Sequence, residues 1–310
     1  MSARVALVSA RGARDVDEDL PPLVAAFARA GAQAQVTVWD DRQVDWAGYD
    51  VALLRSAWDY TERIAEFLGW VARTAAVTCL LNPPPVVRWN SDKHYLSDLE
   101  RAGLPIVDSQ FIEPGQDPQP PLERFLADHA SAELVVKPAV GAGCRDARRH
   151  VRAAHADMLA HMRPLLAAGR SVLVQPYLPS VDHSGETALV YINGAFSHAL
   201  RKGALLPLGA GATEALFAAE EIASRTPGAD ELAVGAALLA GIPFRELLYA
   251  RIDLIRGPKQ EPRILELELT EPSLYFRYGT GAADKLAQAT LARLASAGER
   301  PKPAEAAAGR

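Results

Sequence analysis

Residues 264–276 read "ILELELTEPSLYF". Apolar Leu265, Leu267 and Leu269 alternate with polar positions, which predicts a β-strand with one buried face. The opposite face carries Glu266 and Glu268, followed by Glu271. Two carboxylates one strand repeat apart point the same way and repel each other. Upstream, "ELLYARIDLIRGPKQEPRILELEL" has the pattern of a hairpin with "RGPKQEPR" as its loop. Antiparallel pairing across that loop brings Asp253 toward the two glutamates. Three convergent carboxylates in a cleft are strongly unfavourable unless cations neutralise them. An oxygen-only ligand set suits Mg²⁺, which fills its octahedron with waters and substrate phosphates. The alternative is a solvated strand face whose carboxylates pair with Arg251 and Arg263.

The complementary charges lie elsewhere in the chain. Lys137 ends the apolar run "ELVVK", where a cation is out of place unless an anion meets it. The "VGAGC" that follows offers small residues, Gly141 and Gly143 among them, whose free N–H groups can close over phosphates. An edge lysine followed by an ordinary turn is the plainer reading. Lys93 and the pair Arg201–Lys202 are open to the same two readings. The chain contains neither a GxGxxG after its first strand nor a P-loop.

The N-terminal hundred residues alternate strand and helix: "RVALVSA", "DEDLPPLVAAFARAG", "AQVTVWD", "YDVALLRSAWDY" and "RIAEFLGWVARTA". This βαβ order predicts a small parallel sheet covered by helices, Rossmann-like in layout only. Three prolines in "NPPP" then interrupt the chain, and "SDKHYLSDLERAG" restarts it as a capped helix ending at Gly103. "PGQDPQPP" reads as a surface loop, "SVLVQPYLPS" as a strand running into a linker, and "GETALVYINGAFSHALRKG" as a hairpin turning at "NG". "TEALFAAEEIASR", "ADELAVGAALLAGI" and "AADKLAQATLARLASAG" are predicted helices, and "ERPKPAEAAAGR" a flexible tail. No internal repeat is visible.

A net charge of -5 gives no reason to expect nucleic acid or an anionic membrane as partner. No apolar run reaches membrane-spanning length, and the N-terminus lacks the greasy stretch of a signal peptide. Cys79 and Cys144 form no CxxC, so a reducing cytoplasm is the expectation and a zinc site is not indicated. None of the seven histidines falls in an HxxxH or HExxH pattern.

The order of these pieces, with "VVKP", "VQPYLP" and "RID…ELEL", resembles the ATP-grasp superfamily, in the branch near glutathione synthetase and the RimK-like ligases. The resemblance covers roughly residues 80–290. It implies an α/β chain, α+β in its ATP-binding lobes, with a Rossmann-like domain at 1–104, a central lid domain at 105–175, a C-terminal ATP-grasp domain at 176–298 and a tail at 299–310. It further implies that Lys93 and Lys137 contact the phosphates of ATP. Gln175, Tyr177 and Leu178 would present backbone groups to adenine, and Glu186 would lie near the ribose or the nucleotide. Asp253, Glu266 and Glu268 would hold two Mg²⁺, and Lys202 and Arg251 would face the transferred phosphoryl group. The family more often has Asn at the position of Glu268.

Such enzymes convert a carboxylate into an acyl phosphate that an amine displaces, so no protein nucleophile is needed. "LLRSAWDYTERIAEFLGWV", "VVRWNSDKHYLSDLERAGLPIV" and "LELTEPSLYF" further resemble a narrower group that includes the O-ureido-D-serine cyclo-ligases. The implied reaction is intramolecular, closing the D-cycloserine ring with loss of carbon dioxide and ammonia, and it profits from high effective molarity. Arg55, Ser56, Trp58, Asp59 and Tyr60, with Thr270, Glu271 and Ser273, are expected to shape the pocket for a small amino acid. Core packing between lobes is the alternative for Trp58 and Tyr60. Two other functions fit the same motifs: an intermolecular carboxylate–amine ligase, and an ATP-binding regulator without turnover. The sequence leaves the oligomeric state open, a homo-oligomer included.

Overall fold

A computed structural model describes residues 2–209 and 221–298, and the predicted tail at 299–310 lies outside them. Three sheets follow one another along the chain. The first is parallel, in the order β2-β1-β3-β4, from β1 (Arg4–Ser9), β2 (Gln33–Val38), β3 (Val51–Ser56) and β4 (Cys79–Leu81). The second is antiparallel, in the order β5-β8-β6-β7, from β5 (Gln110–Ile112), β6 (Glu133–Pro138), β7 (Arg148–Val151) and β8 (Val172–Pro176). The third runs β11-β10-β9-β12-β13, from β9 (Glu186–Ile192), β10 (Ala195–Lys202), β11 (Ile222–Ser224), β12 (Tyr249–Arg256) and β13 (Pro262–Glu268).

The first sheet buries both faces, as its near-continuous apolar strands require. Trp39, Phe67 and Trp70 pack on one side. On the other, Val5, Leu7, Val51 and Leu53 share a core with Val190 and Ile192 of β9 and with Leu286 and Ala287 of the C-terminal helix Ala282–Gly298. That shared core fixes the first sheet against the third. Tyr249 adds polar ties, its hydroxyl lying 3.0 Å from the carbonyl oxygens of both Leu54 and Thr270. The second sheet carries its own core beneath helices Gln119–Asp128 and His155–Ala167.

Three local expectations need correction. The "NPPP" stretch starts a helix, Pro84–Asn90, because proline suits a first turn whose N–H groups have no partner. Helix Gln119–Asp128 likewise begins inside the proline-rich segment predicted as loop. The stretch "TEALFAAEEIASR" was expected to be helical; residues 213–220 lie outside the described residues, and Ile222–Ser224 form β11, paired with β10. For those three residues, pairing with the edge of the sheet replaces the expected helix. Helix Tyr95–Arg101 ends before Gly103 at φ +76, as predicted, but has no side-chain N-cap bond.

The alternation in "ILELEL" is broken once. Asp253 pairs with Glu266 and Leu254 with Ile264, so Leu265 is an extra residue in a bulge. The bulge lets Leu265 and Glu266 both line the large cavity between the sheets, while Ile264 is fully buried away from it.

Candidate active site

A cavity of about 750 Å³ opens where the three sheets meet. Its walls include Lys93, Lys137, Gly141, Gly143, Gln175, Tyr177, Leu178, Glu186, Lys202, Arg251, Glu266, Glu268, Glu271 and Ser273, together with Trp58 and Tyr60. These sixteen positions converge on one space only after folding, since they come from β6, β8, β9, β10, β12, β13 and the segments between elements, the one after β3 included.

Charge pairing organises the floor. Register sets Arg251 opposite Glu268 and Asp253 opposite Glu266 on neighbouring strands. The Arg251 guanidinium donates from Nε to Asp253 Oδ1 and from Nη2 to Asp253 Oδ2, both at 2.9 Å, and also reaches Glu268 Oε1. Its Nη1 donates to the Ser273 carbonyl at 3.1 Å. Lys202 Nζ donates to Asp253 Oδ2 at 2.9 Å and lies 3.4 Å from Glu186. Lys93 Nζ bridges Glu266 Oε1 at 2.8 Å and the Gly141 carbonyl at 2.7 Å. Lys137 makes no hydrogen bond or ion pair with a described residue; burial lowers its pKa, and Glu266 pulls the other way.

These pairings set the protonation states. Burial pushes the Asp253 carboxyl up, but Arg251 and Lys202 outweigh it and hold it down at about 2. Glu266 is likewise held below the ordinary range, with Lys93 and Lys137 overcoming burial. Glu268 is raised to about 7 by burial, Asp253 and Glu266 adding repulsion against the pull of Arg251. Glu271 rises to about 8 through burial and the charge of Glu268, while the Tyr60 hydroxyl hydrogen-bonds its carboxyl group. A carboxyl raised from 4.5 to about 8 keeps its proton in the folded state where the unfolded chain has released it. Stability from this group is therefore present below pH 4.5 and lost as pH rises toward 8, by on the order of 4 kcal/mol. Glu271→Gln should remove that loss, so the variant should gain on the wild type between pH 5 and pH 8.5 in urea unfolding. Parallel stability curves across that range would refute the assignment.

The donor set fits Mg²⁺ in part. Glu266 and Glu268 face the cavity with hard carboxylate oxygens about a quarter exposed. Asp253 does not line the cavity; it is 1% exposed and both its oxygens are engaged by cations. Among the described residues the carboxylates do not form a ready-made cage of three.

The expected pocket residues divide. Trp58 and Tyr60 line the cavity, Trp58 Nε1 donating to the Glu271 carbonyl at 3.1 Å. Arg55 and Ser56 do not line it: both are fully buried behind the wall, where Arg55 Nη2 donates to the Pro272 carbonyl at 2.8 Å. Asp59 faces away and binds Trp39 Nε1 and Arg63. Thr270, 1% exposed, packs against Asn90. Of these four, Arg55 braces the "TEPS" turn from outside. At the other end, the Tyr177 N–H is already used by the Glu133 carbonyl, 2.9 Å away, so this residue has only other groups to offer a base.

Several residues that shape the site escaped the sequence reading. Asn90 donates to the Leu267 carbonyl and accepts from the Leu269 N–H, bonding to the "ELEL" strand as a neighbouring strand would. Asn82 does the same for Leu248, Tyr249 and Leu269. Asp19 accepts the N–H groups of Leu274, Tyr275 and Phe276. The available signal was an amide or acid isolated among apolar residues, with partners far away in sequence.

Solved structures share this arrangement of sheets. The ATP-grasp ligase PsnB, complexed with a phosphomimetic variant of its minimal precursor, Mg and ADP, matches with a TM-score of 0.59 at 19% identity, over 94% of this chain and 99% of that one. The crystal structure of D-cycloserine synthetase DcsG matches with a TM-score of 0.88 at 37% identity, over 94% of this chain and 100% of that one. The fold is that of the ATP-grasp class, and the likeness to the synthetase makes the chain an ATP-dependent ligase. The family model for the N-terminal domain of D-cycloserine synthetase DcsG matches residues 5–82. Cycloserine biosynthesis protein DcsG of Streptomyces lavendulae is 39% identical over 298 residues, 94% of this chain and 98% of that protein. The chain belongs to the DcsG family of ATP-grasp ligases. Among the described residues no helix is long and apolar enough to cross a membrane.

Proposed function

We propose that this ligase cyclises O-ureido-D-serine to D-cycloserine at the expense of ATP, with Mg²⁺ as the metal. The observation that carries this reading is the likeness to the cycloserine protein along 94% of the chain. Lys93 and Lys137 would take the nucleotide phosphates beneath the loop holding Gly141 and Gly143. Gln175, Tyr177 and Leu178 would border the base, and Glu186 the ribose. Glu266 and Glu268 would hold Mg²⁺, with Asp253 joining them for a second ion once Arg251 or Lys202 turns to substrate. The bound metal supplies charge neutralisation on the phosphate oxygens. Arg251 and Lys202 meet the negative charge that spreads over the transferred group.

The substrate carboxylate takes the γ-phosphoryl group, giving an acyl phosphate and ADP. The aminooxy nitrogen of the same molecule then attacks the acyl carbon and phosphate leaves. Removal of the carbamoyl group consumes one water and yields carbon dioxide and ammonia. The lobes 1–104, 105–175 and 176–298 would serve as substrate wall, lid and catalytic floor. The test is ADP release with Mg²⁺, ATP and O-ureido-D-serine, with product mass read from the same sample. Equimolar ADP and the cyclised mass are expected; ADP release only with another acid, or only with an added amine, would replace this substrate.

A further inference from the structure

The loop after β6 is tied both to its own sheet and to the first. Gly141, Gly143, Cys144 and Arg145 of this loop all line the cavity. At its far end, Arg170 Nη1 donates to Asp146 Oδ2 at 2.6 Å, and the Asp146 carbonyl lies 3.1 Å from His161 Nε2. At its near end, the Lys93 N–H donates to the Ala139 carbonyl at 2.9 Å, and Val140 packs against the core that holds Tyr60 and Phe67. Between these ends Arg145 crosses to Glu62, the last residue of a short 3₁₀ turn, Trp58–Glu62, that follows β3. The Arg145 Nη1 to Glu62 Oε1 distance is 2.5 Å.

The loop holds a backbone that is unusual for its residues. Cys144 and Asp146, on either side of Arg145, have φ of +60° and +57°, in the left-handed region that residues other than glycine seldom enter. Such a conformation persists where the surroundings impose it. Arg170 restrains Asp146, and the Arg145–Glu62 pair is the matching restraint beside Cys144.

The same pair joins two parts of the cavity. Trp58 and Tyr60 line it from the turn that ends in Glu62, whereas Glu62 itself is half exposed and does not line it. An ion pair this open adds little to the stability of a whole fold, but little is needed to change how often a loop opens. On the proposed function, Lys93 gives up the Gly141 carbonyl when phosphates arrive. The Glu62 contact needs no such exchange and can hold the loop throughout.

We propose that Arg145 and Glu62 are a positioning pair that clasps the glycine loop to the turn carrying Trp58 and Tyr60, closing the phosphate end of the cavity against its substrate wall. This deepens the reading of the cavity as an ATP site and rests on it for its purpose, while the clasp itself is tested without ligand. The first readout is alkylation of Cys144 by N-ethylmaleimide, followed by peptide mass, with Cys79 of β4 as internal reference. Opening the loop exposes Cys144, so Glu62→Gln should speed its alkylation about threefold and Glu62→Arg further, with Cys79 unchanged. Glu62→Arg combined with Arg145→Glu restores the pair in reverse and should bring the rate back to about that of wild type. A Cys144 rate unmoved by both Glu62 variants, or a double variant no slower than Glu62→Arg, overturns the proposal. Should Glu62→Arg fail to fold, Glu62→Gln decides alone. The second readout is equilibrium binding of Mg²⁺ and ATP, which Glu62→Gln should weaken about two- to fivefold because the loop closes less often. Tighter binding would mean that Arg145, released from Glu62, serves the phosphates directly, and would equally overturn the clasp. A wild type that binds no ATP strikes the proposed function instead, and the alkylation result still decides the clasp.

Discussion

Arg251→Met should lower kcat for ADP formation by roughly 10²–10³-fold or more with little change in ATP affinity. Arg251 joins the acidic floor to the "TEPS" turn: it forks onto Asp253, reaches Glu268 and binds the Ser273 carbonyl. Phosphoryl transfer spreads charge over the phosphate oxygens, and a guanidinium held at the cavity wall is placed to meet it once it exchanges a carboxylate for the phosphate. Methionine keeps much of the volume but none of the charge. The variant should also melt earlier, because Asp253 is buried and would keep only Lys202 as counter-charge. ADP release within tenfold of wild type, with the melt unchanged, would remove Arg251 from the chemistry.

Glu266→Gln should separate nucleotide binding from turnover. In the free protein Glu266 neutralises Lys93 at 2.8 Å and lowers the cost of Lys137 nearby. Removing its charge frees both lysines for phosphates, so ATP without Mg²⁺ should bind as well as before or better. Turnover should nevertheless fall by about 10²–10³-fold or more, because the metal loses a ligand charge at the transferring phosphate. Equilibrium binding with and without Mg²⁺, beside ADP release, reads both effects. Mg²⁺-dependent turnover at wild-type rate would end the metal assignment.

How legible the site was depended on how local its determinants are. The "RID" and "ELE" strands form the hairpin expected, and the Asp253–Glu266 pairing followed from its loop. The single bulge at Leu265 did not, since nothing in "ILELEL" marks one residue as extra. The two-lysine, three-carboxylate pattern was visible, yet its mutual neutralisation required knowing that Lys93 reaches β13 from a helix-bounding turn more than 170 residues earlier in the chain. Arg55 and Thr270 were assigned to the pocket because they flank residues that line it. Burial decides otherwise, and burial there is set by the third sheet packing on the first. Residues 84–90 failed for a different reason: proline reads as a break when it stands inside a helix and as a start when it stands at the first turn.

The mutual engagement of Lys93 with Glu266, of Lys202 with Asp253 and Glu186, and of Arg251 with Asp253 and Glu268 has a consequence for binding. Without ligand the cavity is an internal salt. On the proposed function, arrival of Mg²⁺ and ATP would be a metathesis, in which phosphates displace carboxylates from the lysines as the metal displaces lysines from the carboxylates. Neither half is favourable alone, since phosphates without metal leave anions facing anions and metal without phosphates leaves cations facing cations. Nucleotide and metal should therefore enter as one neutralising unit, and the ammonium of Lys93 must release the Gly141 carbonyl in the same exchange.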